Sequence, residues 1–148
     1  MRRSQGKGVF ISLLVVVYII CFIWWQSMQG GMASHAESRY VVEVVMSYAR
    51  GTIIAPYVND VIIRRLAHLT EYAILGGALS KFFLLKSGKS QEKWVLLLGF
   101  SIAAFDEYIQ QFSGGRTSTW HDVGLDTIGC VVGVVIIVVA RIIKRYCT

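Results

Sequence analysis

Residues 123–143 read VGLDTIGCVVGVVIIVVARII, and this segment decides the class of the fold. Between Val131 and Ala140 every residue is apolar or glycine, so a helix here has no polar face. Helices of a soluble bundle keep one polar face, whereas a helix that crosses a bilayer needs about 20 predominantly apolar residues. The segment therefore predicts a transmembrane helix, with the carboxylate of Asp126 near its beginning.

Three other apolar segments precede this one. They run over about Val9–Trp25, Leu66–Leu85 and Trp94–Phe112. The first contains no charged residue, and the third reaches a spanning length only by continuing through Asp106 and Glu107. The chain has 148 residues, of which 55% are hydrophobic, and this length suits one domain. We predict a single all-α membrane domain over residues 1–148 with four transmembrane helices.

The lysine and arginine residues predict the orientation of these helices. Most of them lie before the first segment, around the connection between the second and third segments, or after the fourth: Arg2, Arg3, Lys7, Lys81, Lys86, Lys89, Lys93, Arg141, Lys144 and Arg145. Because cytoplasmic loops carry an excess of Lys and Arg, both termini are predicted to be cytoplasmic. This orientation accounts for the net charge of +6. No nucleic-acid partner is expected, because no basic face with interleaved aromatic residues is visible.

The first apolar segment has an alternative interpretation. Basic residues, an apolar run and then Ser34-His35-Ala36 are also the order of a secretory signal with a small-residue cleavage site. The length of the run and the bulky Trp24 and Trp25 that end it favour an uncleaved membrane anchor.

The region from about Gln29 to Ile63 is the only sizeable part outside the apolar segments. In a helix, one face would be shared by Val41, Val42, Val45, Tyr48 and Ala49. A short helix lying on the outer leaflet is one prediction for this region, and a partly extended linker packed on the bundle is the other. In either case Ala55-Pro56 should interrupt a helix.

Ionisable residues concentrate on one side of the predicted membrane. All nine acidic residues except Glu92 fall on the outer side or flank it. At 100° per residue, the polar residues of the second, third and fourth segments form one stripe on each helix. Ionisable groups against hydrocarbon are costly and usually functional. The candidate binding residues are Arg64, Arg65, His68, Glu71, Tyr72, Asp106, Glu107, Gln110, Arg116, Asp122 and Asp126.

Small residues accompany the stripe on the fourth segment. Gly129 and Gly133 have the small-xxx-small spacing that lets a second membrane helix approach closely. Thr119 and Asp122 have the spacing of a capping box at the start of this helix.

Three motifs in this order resemble the VanZ-like family. They are Arg-Arg-x-x-His-x-x-Glu-Tyr-x-x-Leu-Gly at 64–76, Asp-Glu-x-x-Gln at 106–110, and Gly-Arg followed by Asp-x-x-x-Asp-x-x-Gly within 115–129. The resemblance is strongest over residues 61–133. It implies a small multi-pass protein of the bacterial cell membrane, in a family whose namesake is associated with teicoplanin resistance.

Two positions depart from the pattern of that family. The family often has Pro where this chain has Gly114, and usually has Asn where this chain has Asp126. The resemblance therefore does not carry the hydrogen bonding or protonation of the family's site over to Asp126.

Three functions remain open at this point. The resemblance favours a site at the extracellular face that binds membrane lipids, a cell-wall lipid intermediate or a lipidated glycopeptide, with arginines holding phosphate or carboxylate. The second is an enzyme of envelope lipids or glycans, with Glu71, Asp106 and His68 as catalytic candidates. The third is a structural or regulatory membrane subunit whose polar residues only assemble the bundle. The oligomeric state is not predicted.

No cofactor and no bound metal ion are expected. The weak candidates for metal ligands are His68, Glu71, Asp106 and His121, because a His-x-x-Glu spacing alone occurs often without a metal.

Overall fold

The protein is all-helical wherever the computed structural model describes it, over residues 2–29, 31–114 and 119–147. The elements are α1 (Arg2–Met28), α2 (Gly31–Ala49), a 3₁₀ turn (Ala55–Tyr57), α3 (Asp60–Ser87), α4 (Glu92–Gln110) and α5 (Trp120–Tyr146). The predicted all-α class is confirmed, and four of the helices match the four apolar segments.

The helices α1, α3, α4 and α5 form a bundle. The most extensive contact joins α3 to α5, while α1 packs on both α3 and α4. Ile23, Leu75, Val95, Ala103 and Val134 are among the buried residues of the common core. Because α1 supplies part of this core, it is a structural element of the bundle.

Glycines set the close approach of α3 and α5. A Cβ at Gly129 would lie 2.5 Å from the carbonyl oxygen of Leu69, and a Cβ at Gly133 would collide with the carbonyl of Ala73. Gly76 faces α5 in the same way from the α3 side. Any larger residue would push the two backbones apart, so the predicted helix-contact role of Gly129 and Gly133 is confirmed.

Both ends of α3 have recognisable signals. The side-chain oxygen of Asn59 accepts a hydrogen bond from the Ile62 backbone N–H at 3.0 Å. At the other end Gly88 adopts a left-handed conformation with φ of 69°, and its N–H donates to the carbonyl of Leu84. An asparagine N-cap and a glycine after the last turn are what the backbone needs at these positions.

The helix α2 confirms that a helix is present in this region. It is continuous over 19 residues, so the alternative of a partly extended linker is wrong for Gly31–Ala49. Its apolar residues also do not share one environment. Ala49 is buried and Val42 and Val45 are half-buried, whereas Val41 and Tyr48 are exposed. The reason is that α2 packs on α3, which divides the apolar residues between a covered side and an open side.

A polar contact contributes to the packing of α2. The hydroxyl of Ser38, which is buried, donates to the carboxylate of Asp60 in the first turn of α3. Pro56 lies in the 3₁₀ turn that follows, as the predicted interruption requires.

Within the described part of the chain, two helices are long and apolar enough by length and composition to cross a membrane: α1 over Gly6–Met28 and α5 over Trp120–Tyr146. The helices α3 and α4 are less apolar because they contain charged residues. Their 28 and 19 residues still correspond to lengths of about 42 and 28 Å at roughly 1.5 Å per residue. Large apolar side chains cover the outside of the bundle, among them Phe10, Leu14, Leu97, Phe100, Val135 and Ile136. Such a surface suits lipid better than water.

Candidate functional site: the polar end of the bundle

Most of the buried polar residues gather at one end of the bundle, where α1 and α4 end and α3 and α5 begin. We call this region the polar end. Its buried members are Ser27, Asp106, Glu107, Gln110, Ser113 and Asp126, and its half-buried members include His68, Glu71 and Asp122. The structure thus brings the polar stripes of α3, α4 and α5 together around a shared interior.

The end of α1 contributes residues that the sequence analysis missed. Gln26 Nε2 donates to Glu71 Oε1 on α3 at 3.4 Å. Gln110 Nε2 on α4 lies 3.4 Å from Ser27 Oγ, and the hydroxyl of Ser113 donates to the Ser27 carbonyl at 2.7 Å. These contacts hold α1 against α3 and α4. The available signal was that Gln26 and Ser27 directly follow the apolar run.

The start of α5 is joined to α4 by a polar contact of Thr119. The Thr119 N–H donates to Glu107 Oε2 at 3.2 Å, and the Thr119 hydroxyl donates to Asp122 Oδ2 at 2.7 Å. Thr119 is the N-cap residue, but its side chain makes no capping hydrogen bond. The predicted capping box is therefore wrong in its hydrogen bonding, because the two side chains bond to each other instead of to the helix-start amides.

The arginines pair with acidic residues at the rim of the polar end. Arg64 Nε lies 3.8 Å from Asp60 Oδ2, and Arg65 Nε lies 3.8 Å from Asp122 Oδ1. Both pairs are partly exposed, so each contributes about 0–1 kcal/mol at most. Weak pairs of this kind leave arginines able to exchange partners with an anionic ligand. The third predicted arginine, Arg116, lies outside the described residues.

Three side chains meet in the centre of the polar end. One ligand atom each from His68 on α3, Asp106 on α4 and Asp126 on α5 lies within 4.8 Å of the other two. Asp106 Oδ2 also accepts a hydrogen bond from Gln110 Nε2 at 2.9 Å. We call these three residues the central triad. They combine a nitrogen base with two carboxylates, which is a donor set that can hold a proton or a cation.

The other candidates for catalysis and metal binding lie apart from the central triad. Glu71 is hydrogen-bonded to α1, and His121 is exposed at the start of α5. Of the four metal-ligand candidates, His68 and Asp106 are brought together, and Asp126 is the residue that joins them. His121 is exposed in the first turn of α5 and is not part of this group.

A groove opens on the side of the polar end between α4 and α5. Its volume is about 240 Å³, and its lining consists of Ala104, Glu107, Tyr108, Gln111, Thr119, Trp120 and Val123. Glu107 is 5% exposed, whereas Tyr108 and Trp120 are 53% and 81% exposed. The groove therefore combines a recessed carboxylate with two accessible aromatic rings. Its lining is apolar at Ala104 and Val123.

Comparison with known proteins places the chain in a family. The VanZ/LLP1 family model matches residues 10–142. No curated protein and no solved structure matches the chain significantly. The matched range runs from the first part of α1 to the last part of α5 and includes every described residue of the polar end. The chain therefore belongs to the VanZ/LLP1 family, and together with its two apolar helices this indicates a membrane protein linked to antibiotic resistance.

Proposed function

We propose that this protein is a four-span protein of the bacterial cell membrane that protects the cell against lipidated glycopeptides. In this proposal the polar end faces the outside and binds the polar part of an envelope amphiphile, either a cell-wall lipid intermediate or the glycopeptide itself. The observation that carries the proposal is the groove between α4 and α5, which joins a recessed carboxylate to aromatic and apolar walls.

The chemistry of the groove suits an amphiphile. The carboxylate of Glu107 already accepts one backbone N–H, and a carboxylate has further lone pairs for hydroxyl or amide donors of a sugar or peptide. The rings of Tyr108 and Trp120 offer flat apolar surfaces with a polar atom at one edge. A ligand with both sugar and peptide character would use the two kinds of contact together.

The outer surface beside the groove suits an acyl chain. Phe105 and Tyr108 on α4 and Phe112 just after it are exposed and form a run of ring contacts, with centroids 6.2 and 5.1 Å apart. If α4 spans the bilayer, this aromatic run lies at the membrane interface, where tyrosine and tryptophan are enriched. A lipid tail would then lie in the bilayer while the head of the same molecule occupies the groove.

The charge distribution supports the orientation. The end of the bundle opposite the polar end carries Lys81, Lys86, Lys93, Arg141 and Lys144 at or near the termini of α3, α4 and α5. An excess of positive charge marks the cytoplasmic side. The polar end then faces outwards, where glycopeptides and externalised cell-wall intermediates are found.

The test is drug susceptibility in a Gram-positive host that expresses the chain. The variant Trp120→Ala removes an exposed wall of the groove. Its matched control is Trp94→Ala, which removes a 56% exposed tryptophan near the start of α4, at the other end of the bundle. A second pair is Glu107→Gln with Glu92→Gln as the control. Teicoplanin and vancomycin are tested side by side, and membrane abundance is measured by immunoblot.

We expect the wild type and both controls to protect against teicoplanin more than against vancomycin. Trp120→Ala and Glu107→Gln should lose this protection at normal abundance. Equal protection against the two drugs would contradict a role for the lipid tail. Full protection by both groove variants would show that the groove is not the site.

A further inference from the structure

We propose that the central triad of His68, Asp106 and Asp126 is a binding site for a divalent transition-metal ion of the Zn²⁺ or Mn²⁺ class. The site is distinct from the groove, because Glu107 lines the groove and the triad does not. The proposal does not depend on protection against glycopeptides, since metal content is measured on the purified protein.

The geometry of the triad suits a single ion. Three atoms that all lie within 4.8 Å of one another enclose a point no more than about 2.8 Å from each, and Zn–N and Zn–O bonds measure about 2.0–2.2 Å. Each ligand atom would therefore move by less than about 1 Å to bind. Rotation of the side chains can supply this movement without a shift of the three helices.

The donor set favours a transition metal over Mg²⁺ or Ca²⁺. An imidazole nitrogen with two carboxylate oxygens is typical of Zn²⁺ and related ions, whereas Mg²⁺ and Ca²⁺ prefer oxygen ligands throughout. Three protein ligands leave at least one coordination position for water or for an oxygen atom of a bound molecule. His68 is half-buried, so an ion can reach the triad from its side.

Asp126 supplies independent support for a bound cation. Its side chain is 1% exposed, and neither carboxylate oxygen has a hydrogen-bond partner among the described residues. A buried carboxylate without hydrogen bonds is strongly unfavourable unless it is neutralised. A metal ion between Asp126 and Asp106 would satisfy both the charge and the coordination of these oxygens.

Tyr72 points to the same location. Its side chain is fully buried, and its hydroxyl has no hydrogen-bond partner within the described part of the chain. It is one helical turn after His68 on α3, and its Cβ lies 3.0 Å from where a Cβ of Gly129 would be. Gly129 lies three residues after Asp126 on α5, so Tyr72 packs beside the triad. A donor in this position would orient a metal-bound carboxylate.

A shared proton is the competing occupant of the triad. Two neighbouring carboxylates can be neutralised by one proton held between them. Metal binding distinguishes the two cases, because two carboxylates that share a proton are already neutralised and need no ion. The experiment therefore starts from metal-free protein.

The full-length chain is purified in detergent, treated with a chelator and titrated separately with Zn²⁺ and Mn²⁺. Bound metal is measured by elemental analysis, and the melting temperature is recorded with and without the ion. The variant Asp126→Asn keeps the shape of the side chain and removes its charge. The matched control is Glu92→Gln, at the opposite end of the bundle.

We expect about one ion per chain in the wild type and in the control, with a rise in melting temperature on binding. Asp126→Asn should melt at or above the temperature of metal-free wild type and bind no ion. Tyr72→Phe should still bind but roughly 10–100-fold more weakly. The proposal is overturned if the wild type shows no saturable binding, or if Asp126→Asn binds as well as the wild type. If Asp126→Asn fails to fold, saturable binding by the wild type together with weaker binding by Tyr72→Phe supports the proposal. Binding by Tyr72→Phe as tight as that of the wild type, or no saturable binding by the wild type, overturns it.

Discussion

The close contact between α3 and α5 predicts that alanine substitutions at two glycines of α5 change the stability of the protein in opposite directions. At Gly133 a Cβ would meet the carbonyl of Ala73 and the backbone nitrogen of Gly77, and neither atom can move without shifting α3. At Gly124 a Cβ would meet nothing within 4 Å. Alanine at either position improves helix propensity by about 1 kcal/mol. Only at Gly133 does it also create a collision between backbones.

The expected sizes follow from these two effects. Gly124→Ala should stabilise the protein by up to about 1 kcal/mol, as the propensity difference predicts. Gly133→Ala should be destabilised, because overpacking a tight contact costs about 1–3 kcal/mol and a backbone partner places it at the upper end of this range. We expect Gly133→Ala to be less stable than Gly124→Ala by roughly 2–3 kcal/mol, which is the overpacking cost alone, because both variants gain the same helix propensity.

The assay is reversible unfolding in mixed micelles, followed by circular dichroism at increasing fractions of denaturing detergent. Both variants are measured against the wild type under the same conditions. If Gly133→Ala proved as stable as Gly124→Ala, the close approach of α3 and α5 would not exist in the protein and the arrangement of the polar end would lose its foundation.

Three further predictions concern orientation and individual contacts. In a chain without other cysteines, Thr52→Cys should react with a membrane-impermeant thiol reagent on intact cells and Ser90→Cys only after permeabilisation; the reverse pattern would invert the proposed orientation. Arg65→Gln should change the free energy of unfolding by less than about 1 kcal/mol, because its pair with Asp122 is partly exposed. If an anionic ligand binds Arg65, the same variant should lower protection. A larger loss of stability would assign Arg65 a structural role. Ser113→Ala should cost about 0.5–1.5 kcal/mol through its lost hydrogen bond to the end of α1, and an unchanged stability in the same unfolding assay would argue against that contact.

Much of the bundle could be predicted from the sequence, because apolar length and charge placement act locally. The apolar runs around Val9–Trp25 and Val123–Ile143 correspond to α1 and α5, the two helices that qualify as membrane spans. The polar stripes also follow from helical periodicity. Because neighbouring helices are antiparallel, these stripes lie at the same end of the bundle. The spacing of Gly129 and Gly133 correctly indicated where two helices come closest.

Contacts that depend on how helices rotate against each other could not be predicted. Gln26 and Ser27 join the polar end only because α1 turns them towards α3 and α4. The full length of α2 depends on its packing against α3, which periodicity does not report. The side chain of Thr119 can bond either to the helix-start amides or to Asp122, and the spacing of Thr119 and Asp122 in the sequence does not distinguish the two arrangements.

The central triad shows a different limit of sequence reasoning. The sequence makes His68 and Asp106 weak candidates for a metal site, whereas it indicates only a binding role for Asp126. Its position became informative only when three helices were seen to meet, with a carboxylate whose oxygens have no hydrogen-bond partner among the described residues. Residue type alone makes His121 a weak candidate, and the structure leaves it exposed and outside the central triad.

The central claim is that the polar end performs a function and does not only assemble the bundle. Its most direct test is to measure protection against teicoplanin and melting temperature together for Glu107→Gln, a change that preserves an oxygen acceptor for the Thr119 N–H. We expect protection to be lost while abundance stays normal and the melting temperature of the metal-free protein shifts by no more than a few degrees. Protection that falls only in proportion to stability and abundance, or that does not fall at all, would contradict the claim.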